Sequence, residues 1–156
     1  MNPILRRVQA GGRQLNEARA IIEKLGLAAH PEGGWYRETW RASAEGESRS
    51  PGTGILFLLE AGKRSHWHRV DADELWLWHA GSPLDLLIEE PDRAIEPVLL
   101  GGDVLAGQVP QARVPAGRWQ ATEASRGWGL VSCVVVPGFD FAGFELAAPG
   151  WAPPRV

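Results

Sequence analysis

The sequence predicts an all-β fold, an antiparallel β-barrel or sandwich with one short N-terminal helix. Three observations carry this. Hydrophobicity follows a period of two from about residue 35 onward. Glycine (19) and proline (12) punctuate the 156 residues at short, fairly even intervals. No strand–helix–strand alternation occurs, which disfavours a doubly wound or parallel-barrel fold.

The helix comes first. Leu15, Ala18, Ile22 and Leu25 recur at spacings of three and four, with Glu17, Arg19, Glu23 and Lys24 between them. The spacing predicts a helix over about 14–25, stopped by Gly26 in a left-handed turn. Residues 1–13 read as a flexible arm, 14–148 as one domain and 149–156 as a tail, where Pro149, Pro153 and Pro154 prevent a central strand.

Strands follow at Trp35–Arg41, after the turn Pro31-Glu32-Gly33-Gly34, and at Gly54–Glu60 and Ser65–Arg69. Glu74–His79 alternates cleanly, and Leu84–Glu89 follows the turn Gly81-Ser82-Pro83. Ile95–Leu100, Ala112–Val114, Trp119–Glu123, Trp128–Val136 and Phe141–Leu146 complete the set.

Composition removes several function classes. The net charge of −3 argues against a basic nucleic-acid-binding surface. The single cysteine, Cys133, rules out an internal disulfide and lies in an apolar run, as a buried, inert thiol would. No stretch approaches the ~20 apolar residues of a membrane span. No apolar segment follows Arg6, Arg7 and Arg13, so a signal peptide is not expected and cytoplasmic residence is. Neither nucleic acid nor membrane is an expected partner, and no nucleotide cofactor is expected. The unusual count is 8 tryptophans.

Chemistry concentrates between residues 62 and 79. His66 and His68 stand two apart, so on a regular strand both leave the same face. Val70-Asp71-Ala72-Asp73 can turn the chain and bring Glu74 alongside them on the next strand. Two imidazoles and a carboxylate form the ligand set of a facial-triad site for one divalent ion, Fe(II), Mn(II), Ni(II) or Zn(II). The same pair would also serve as hydrogen-bonding groups in a polar pocket. Alternation puts Glu74, Trp76 and Trp78 on one face and Leu75, Leu77 and His79 on the other. If Glu74 faces the interior, both indoles are pocket candidates, since indole faces stack on sugars and planar heterocycles; ordinary core filling explains them equally. Tyr36 shares a face with Glu38, and Arg37 takes the other with Trp35 and Thr39. An inward Arg37 would suit a carboxylate or phosphate.

His66-x-His68, Glu74 and Gly81 resemble the first sequence motif of the cupin superfamily. Pro115-Ala116-Gly117 followed by Gln120 resembles the second, with glutamine where that motif has histidine. The resemblance therefore implies Gln120 as a fourth metal ligand, and its amide can also donate and accept toward an organic ligand. The match sharpens to the cupin 5 (DUF985) family. Its motifs are resembled by His30-Pro31-Glu32-Gly33-Gly34-Trp35-Tyr36-Arg37-Glu38-Thr39, Trp67-His68-Arg69-Val70-Asp71, Glu74-Leu75-Trp76, Val114-Pro115-Ala116-Gly117-Arg118-Trp119-Gln120 and Pro137-Gly138-Phe139-Asp140-Phe141. The resemblance runs from about Leu15 to about Leu146 and implies a jelly-roll-like barrel and a homodimer, but no established reaction.

Two functions follow as expectations. One is an enzyme on a small sugar or sugar-acid-like metabolite, with His68 and Glu74 moving protons as an isomerase or epimerase does, or with a metal polarising a carbonyl. The other is a non-catalytic barrel holding a small-molecule ligand. Trp128–Val136 and Trp151 are the expected dimer contacts.

Overall fold

The computed structural model describes residues 3–92 and 94–154, and the side chains of all of these except 3–11 and 96. Helix α1 (Pro3–Leu25) is followed by eleven strands: β1 (Ala28–Ala29), β2 (Trp35–Arg41), β3 (Thr53–Leu59), β4 (Arg64–Val70), β5 (Asp73–Gly81), β6 (Leu84–Glu89), β7 (Ile95–Leu100), β8 (Gln111–Val114), β9 (Gln120–Glu123), β10 (Gly129–Val136) and β11 (Phe144–Leu146). They form two antiparallel sheets, ordered β1-β2-β3-β10-β5-β8 and β11-β4-β9-β6-β7. The ladders leave two facing sheets, a jelly-roll sandwich, rather than one closed ring.

The helix is longer than its apolar period suggests, and takes in most of the expected arm; residues 1–2 lie outside the described residues. Leu5, Arg6, Arg7, Gln9 and Ala10 are good helix formers. Gly11 and Gly12 each cost roughly 1 kcal/mol relative to alanine, which weakens a helix without breaking it. Gly26 ends it at φ +63°. Ala18 and Ile22 face inward against Leu58 and Trp128, on the outer surface of the six-stranded sheet. The Trp128 indole N–H donates to Glu17 at 3.2 Å, tying sheet to helix.

The core between the sheets is built from alternate residues of each strand: Phe57 and Leu59, Trp76, Leu84, Leu86 and Ile88, and Val131 and Cys133. Strand β10 is paired on both sides, with β3 and β5. It therefore offers no free edge. The Trp151 ring packs against the body of the chain. It lies 4.5 Å from Trp119 between ring centroids, and the Arg69 guanidinium sits 4.8 Å over Trp119. Trp67, buried, completes this cluster on the outer face of the five-stranded sheet. Thus the tail is docked at least as far as Trp151. Trp151→Ala is expected to cost about 1–2 kcal/mol in urea unfolding and to make the chain after Ala148 cleavable by proteases; an unchanged midpoint and cleavage pattern would refute the docking.

Candidate functional site

The sandwich interior is filled at one end and hollow at the other. A cavity of about 800 Å³ opens between the sheets, with Tyr36, Phe57, Phe139 and Phe144 among its walls and His30, Glu32, His68 and Glu74 lining its polar part. The turn before β2 builds much of this. His30 N–H donates to Gly34 O at 2.9 Å, and Gly33 N–H to His30 O at 3.0 Å. Gly33 (φ +105°) passes so close to β4 that a Cβ would lie 2.6 Å from Arg64 O, so only glycine fits. The His66 N–H then donates to Glu32 O at 2.6 Å and fastens the turn to β4. Glu32 is thereby carried inside, 8% exposed.

Strand β4 departs from regular alternation. Ser65 pairs with Thr122, and His68 with Gln120, so three residues on β4 span two on β9. This bulge rotates the chain between the two histidines. His68 is buried and enters the cavity, whereas His66 turns away and its Nε2 bonds Ala148 O at 2.9 Å. The expectation that both imidazoles leave one face is thus overturned by one extra residue.

Hydrogen bonds fix the protonation of His68. Its Nδ1 lies 2.8 Å from His66 O, and a carbonyl can only accept, so Nδ1 carries the proton. Its Nε2 lies 3.1 Å from Glu32 Oε2. The distance would suit an ion pair, but burial opposes charge on both partners. Burial pulls the His68 imidazole down to about 4, and His30 and His66 add to this, while the bond to His66 O works against it. Burial pushes the Glu32 carboxyl well above its ordinary value, and the charge of Glu74 adds to the effect. Both directions favour the proton on Glu32, from where its O–H would donate to His68 Nε2. His30 is also pulled down to about 4 by burial. Its Nδ1 accepts from the Glu32 backbone N–H at 3.2 Å and lies 3.6 Å from the Glu32 carboxyl.

Glu74 faces His68 from the opposite sheet instead of lying beside it on an adjacent strand, since β4 and β5 belong to different sheets. Gln120 spans the gap. Trp76 Nε1–H can only donate, and does so to Gln120 Oε1 at 3.0 Å. This orients the amide so that Gln120 Nε2 donates to Glu74 Oε2 at 2.5 Å. Burial raises the Glu74 carboxyl, and hydrogen bonds from Gln120, Cys133 and Trp76 oppose the rise. Cys133 lines the cavity too, its thiol pushed far up by burial first and then by Glu74.

Among the remaining expected site residues, Tyr36 lines the cavity, with its ring 4.6 Å edge-on from His30. Arg37 lies on the outer face, near Gly26. Trp76 and Trp78 share the inward face with Glu74 but lie beyond the cavity lining, in and against the packed core. Gln120 sits behind Glu74, outside the lining. His79 is on the outer face, bonded to Ser132 Oγ at 2.5 Å. His30, Glu32 and the Phe139–Phe144 wall were visible in sequence only as family-like motifs and a turn.

The expected metal triad does not fit this geometry. His66 points away, the Nε2 of His68 is engaged by Glu32, and Gln120 turns its N–H rather than its oxygen toward Glu74. Among the described residues no group of three or more His, Cys, Asp or Glu is placed to hold a metal ion. Elemental analysis after incubation with Zn(II), Mn(II) or Fe(II) and desalting is expected to find less than a tenth of an equivalent; near-stoichiometric metal would overturn this reading of the donors.

The family model described as Cupin superfamily (DUF985), Cupin_5, matches residues 19–147. The chain belongs to the cupin 5 family. Two solved structures share sequence as well as fold. Protein SO0799 from Shewanella oneidensis is 40% identical, with a TM-score of 0.77, over 83% of this chain and 83% of that one. A hypothetical protein from Leishmania major is 34% identical, with a TM-score of 0.76, over 84% of this chain and 87% of that one. Oxalate decarboxylase from Bacillus subtilis shares the fold alone, at 15% identity and a TM-score of 0.57, over 76% of this chain and 29% of that one. No curated protein matches the chain. No described helix of this cupin is long and apolar enough to cross a membrane.

Proposed function

We propose that this cupin is a proton-transfer enzyme of the isomerase or epimerase type, acting on a small, polar, sugar-like metabolite held in the cavity. The observation that supports it is the Glu32–His68 pair: a carboxyl that burial pushes toward its protonated form, 3.1 Å from an imidazole whose tautomer is fixed by a backbone carbonyl, at a cavity wall. Glu74 faces the pair with an oxygen held by Gln120. Burial raises both carboxyls, but hydrogen bonds from Gln120, Cys133 and Trp76 favour the ionised form of Glu74 alone, so the two are suited to act as acid and base. Glu74, whose ionised form accepts hydrogen bonds, would remove a proton from a carbon next to a carbonyl. Glu32, backed by His68, would deliver one to the oxygen. A sugar acid is disfavoured, because Arg37, the residue suited to an anion, does not line the cavity.

Incubation of neutral aldoses, ketoses and hydroxyketones with the protein in D2O tests this by NMR. One of them is expected to exchange a carbon-bound proton, at a rate lowered at least ~10²-fold in His68→Ala and Glu32→Gln. Binding without exchange across the panel would instead support a non-catalytic binding protein.

A further inference from the structure

His30 uses half of its hydrogen-bonding capacity within the chain. Its Nδ1 accepts from the Glu32 backbone N–H at 3.2 Å, and an uncharged imidazole with an accepting Nδ1 carries its proton on Nε2. Burial pulls the imidazole down to about 4, so at pH 7 it is uncharged. Three rings meet it at steep angles, with centroids at 4.6 Å (Tyr36), 6.1 Å (Phe57) and 6.0 Å (Phe144). These contacts and the bond from Glu32 hold the ring in one orientation. The side chain is only 6% exposed. Its Nε2–H has no protein partner among the described residues, where Thr122 Oγ1 is the only fully enclosed side-chain polar atom left without one. The Nε2–H therefore opens onto free space, and the free space lined by this ring is the cavity.

A donor fixed at a cavity wall calls for an acceptor on whatever fills the cavity. The neighbouring wall group is the Glu32 carboxyl, 3.6 Å from Nδ1 of the same ring. Nε2–H and the Glu32 carboxyl thus border one part of the cavity, with Glu74 on the opposite sheet. When a base removes a proton from the carbon beside a carbonyl, negative charge gathers on the carbonyl oxygen. A prepositioned donor is worth more to that oxygen than to the starting ketone, and an uncharged imidazole N–H can serve.

We infer that His30 is a further binding and catalytic residue: its Nε2–H donates to the carbonyl oxygen of the ligand, beside the Glu32 carboxyl, and holds that oxygen as charge develops on it. The binding half needs only that a carbonyl compound enters the cavity; the catalytic half rests on the proton transfer proposed above.

The test uses the full chain at pH 7. Nitrogen NMR of the imidazoles in the free protein is expected to show His30 as the Nε2–H tautomer; an Nδ1–H tautomer or an imidazolium overturns the inference without any variant. Two probes then differ in one carbonyl: erythrulose, an open-chain ketose, and erythritol, its reduced counterpart. Erythrulose is expected to bind about fivefold more tightly and alone to shift the His30 Nε2 signal. His30→Asn keeps an acceptor for the Glu32 N–H but removes the N–H that faces the cavity. It is expected to abolish the preference for the ketose and to slow exchange of the carbon-bound proton beside its carbonyl in D2O at least ~10²-fold. His30→Gln, whose amide N–H can reach the Nε2 position, guards against an asparagine variant that fails to fold; it is expected to keep the preference and most of the exchange. Equal binding of the two probes, or a preference retained in His30→Asn, overturns the inference alone. Exchange that falls no further than affinity in His30→Asn overturns its catalytic half. A preference lost in His30→Asn with no exchange in any of the proteins supports the binding half and overturns the proton transfer. Failure of both probes to bind overturns the inference together with the reading of the cavity as a ligand site.

Discussion

Trp76→Ala is expected to lower the free energy of unfolding by about 3–5 kcal/mol, read from urea denaturation. The Trp76 ring is 1% exposed and lies 5.8 Å from Phe57 at 77° between the sheets. Removing it leaves a void that rigid strands on both sides cannot collapse into. It also strips Gln120 Oε1 of its donor, and a buried acceptor left unmade costs about 1–3 kcal/mol more. The two terms separate in part with Trp76→Phe, which loses the N–H but retains most of the ring volume; that variant should pay the second cost and only a fraction of the first. Trp78→Ala should lose less than Trp76→Ala, because its ring is half-buried and donates to Ser82 O at 3.2 Å near the sheet margin. If Trp76→Ala unfolds within about 1 kcal/mol of the natural protein but changes probe binding, the ring belongs to the cavity and not to the core.

This expectation marks where the sequence was legible and where it was not. Alternation correctly turns Glu74, Trp76 and Trp78 inward, because a strand's two faces are fixed by its pleat. What alternation cannot express is depth along the strand. In β3, Thr53, Ile55 and Phe57 line the cavity while Leu59 is in the packed core, and in β5 the same passage runs from Glu74 to Trp76. Inward is therefore hollow at one end of the sandwich and packed at the other. Strands bounded by Gly and Pro turns, such as Leu84–Glu89 and Ile95–Leu100, were readable to the residue. The Phe141–Leu146 segment was not, since Asp140 caps a short 3₁₀ turn over Phe141–Gly143 before β11 begins. The bulge that removes His66 from the cavity is set by pairing with β9, more than fifty residues away, so no local pattern announces it. His30 and Glu32 flank a proline in what reads as a turn, and their burial depends on Gly33 meeting the backbone of β4.

The Glu32–His68 pair makes an opposite-signed prediction for its two halves. In the folded protein His68 is held at about 4 against an ordinary 6.5, mainly by burial. Its share of stability is present above pH 6.5 and is lost as pH falls from there to about 4, because the unfolded chain takes up a proton that the folded one refuses. Glu32 is raised above 4.5. Its share is present below 4.5 and is lost as pH rises through its folded value, because the unfolded chain releases a proton that the folded one keeps. Together the two cancel in the interval between: folded and unfolded chains each hold one proton on the pair, on Glu32 in the first and on the imidazole in the second. Breaking the pair uncovers each half. Glu32→Gln, which still offers an N–H to His68 Nε2, is expected to lose up to about 3 kcal/mol relative to the natural protein as pH falls from 6.5 to 4. His68→Gln is expected to lose stability relative to the natural protein as pH rises from 4.5. Urea unfolding at half-unit steps from pH 4 to pH 8 reads both differences. Parallel curves for the two variants would mean that Glu32 and His68 carry an ordinary ion pair, and that the proton does not rest on the carboxyl.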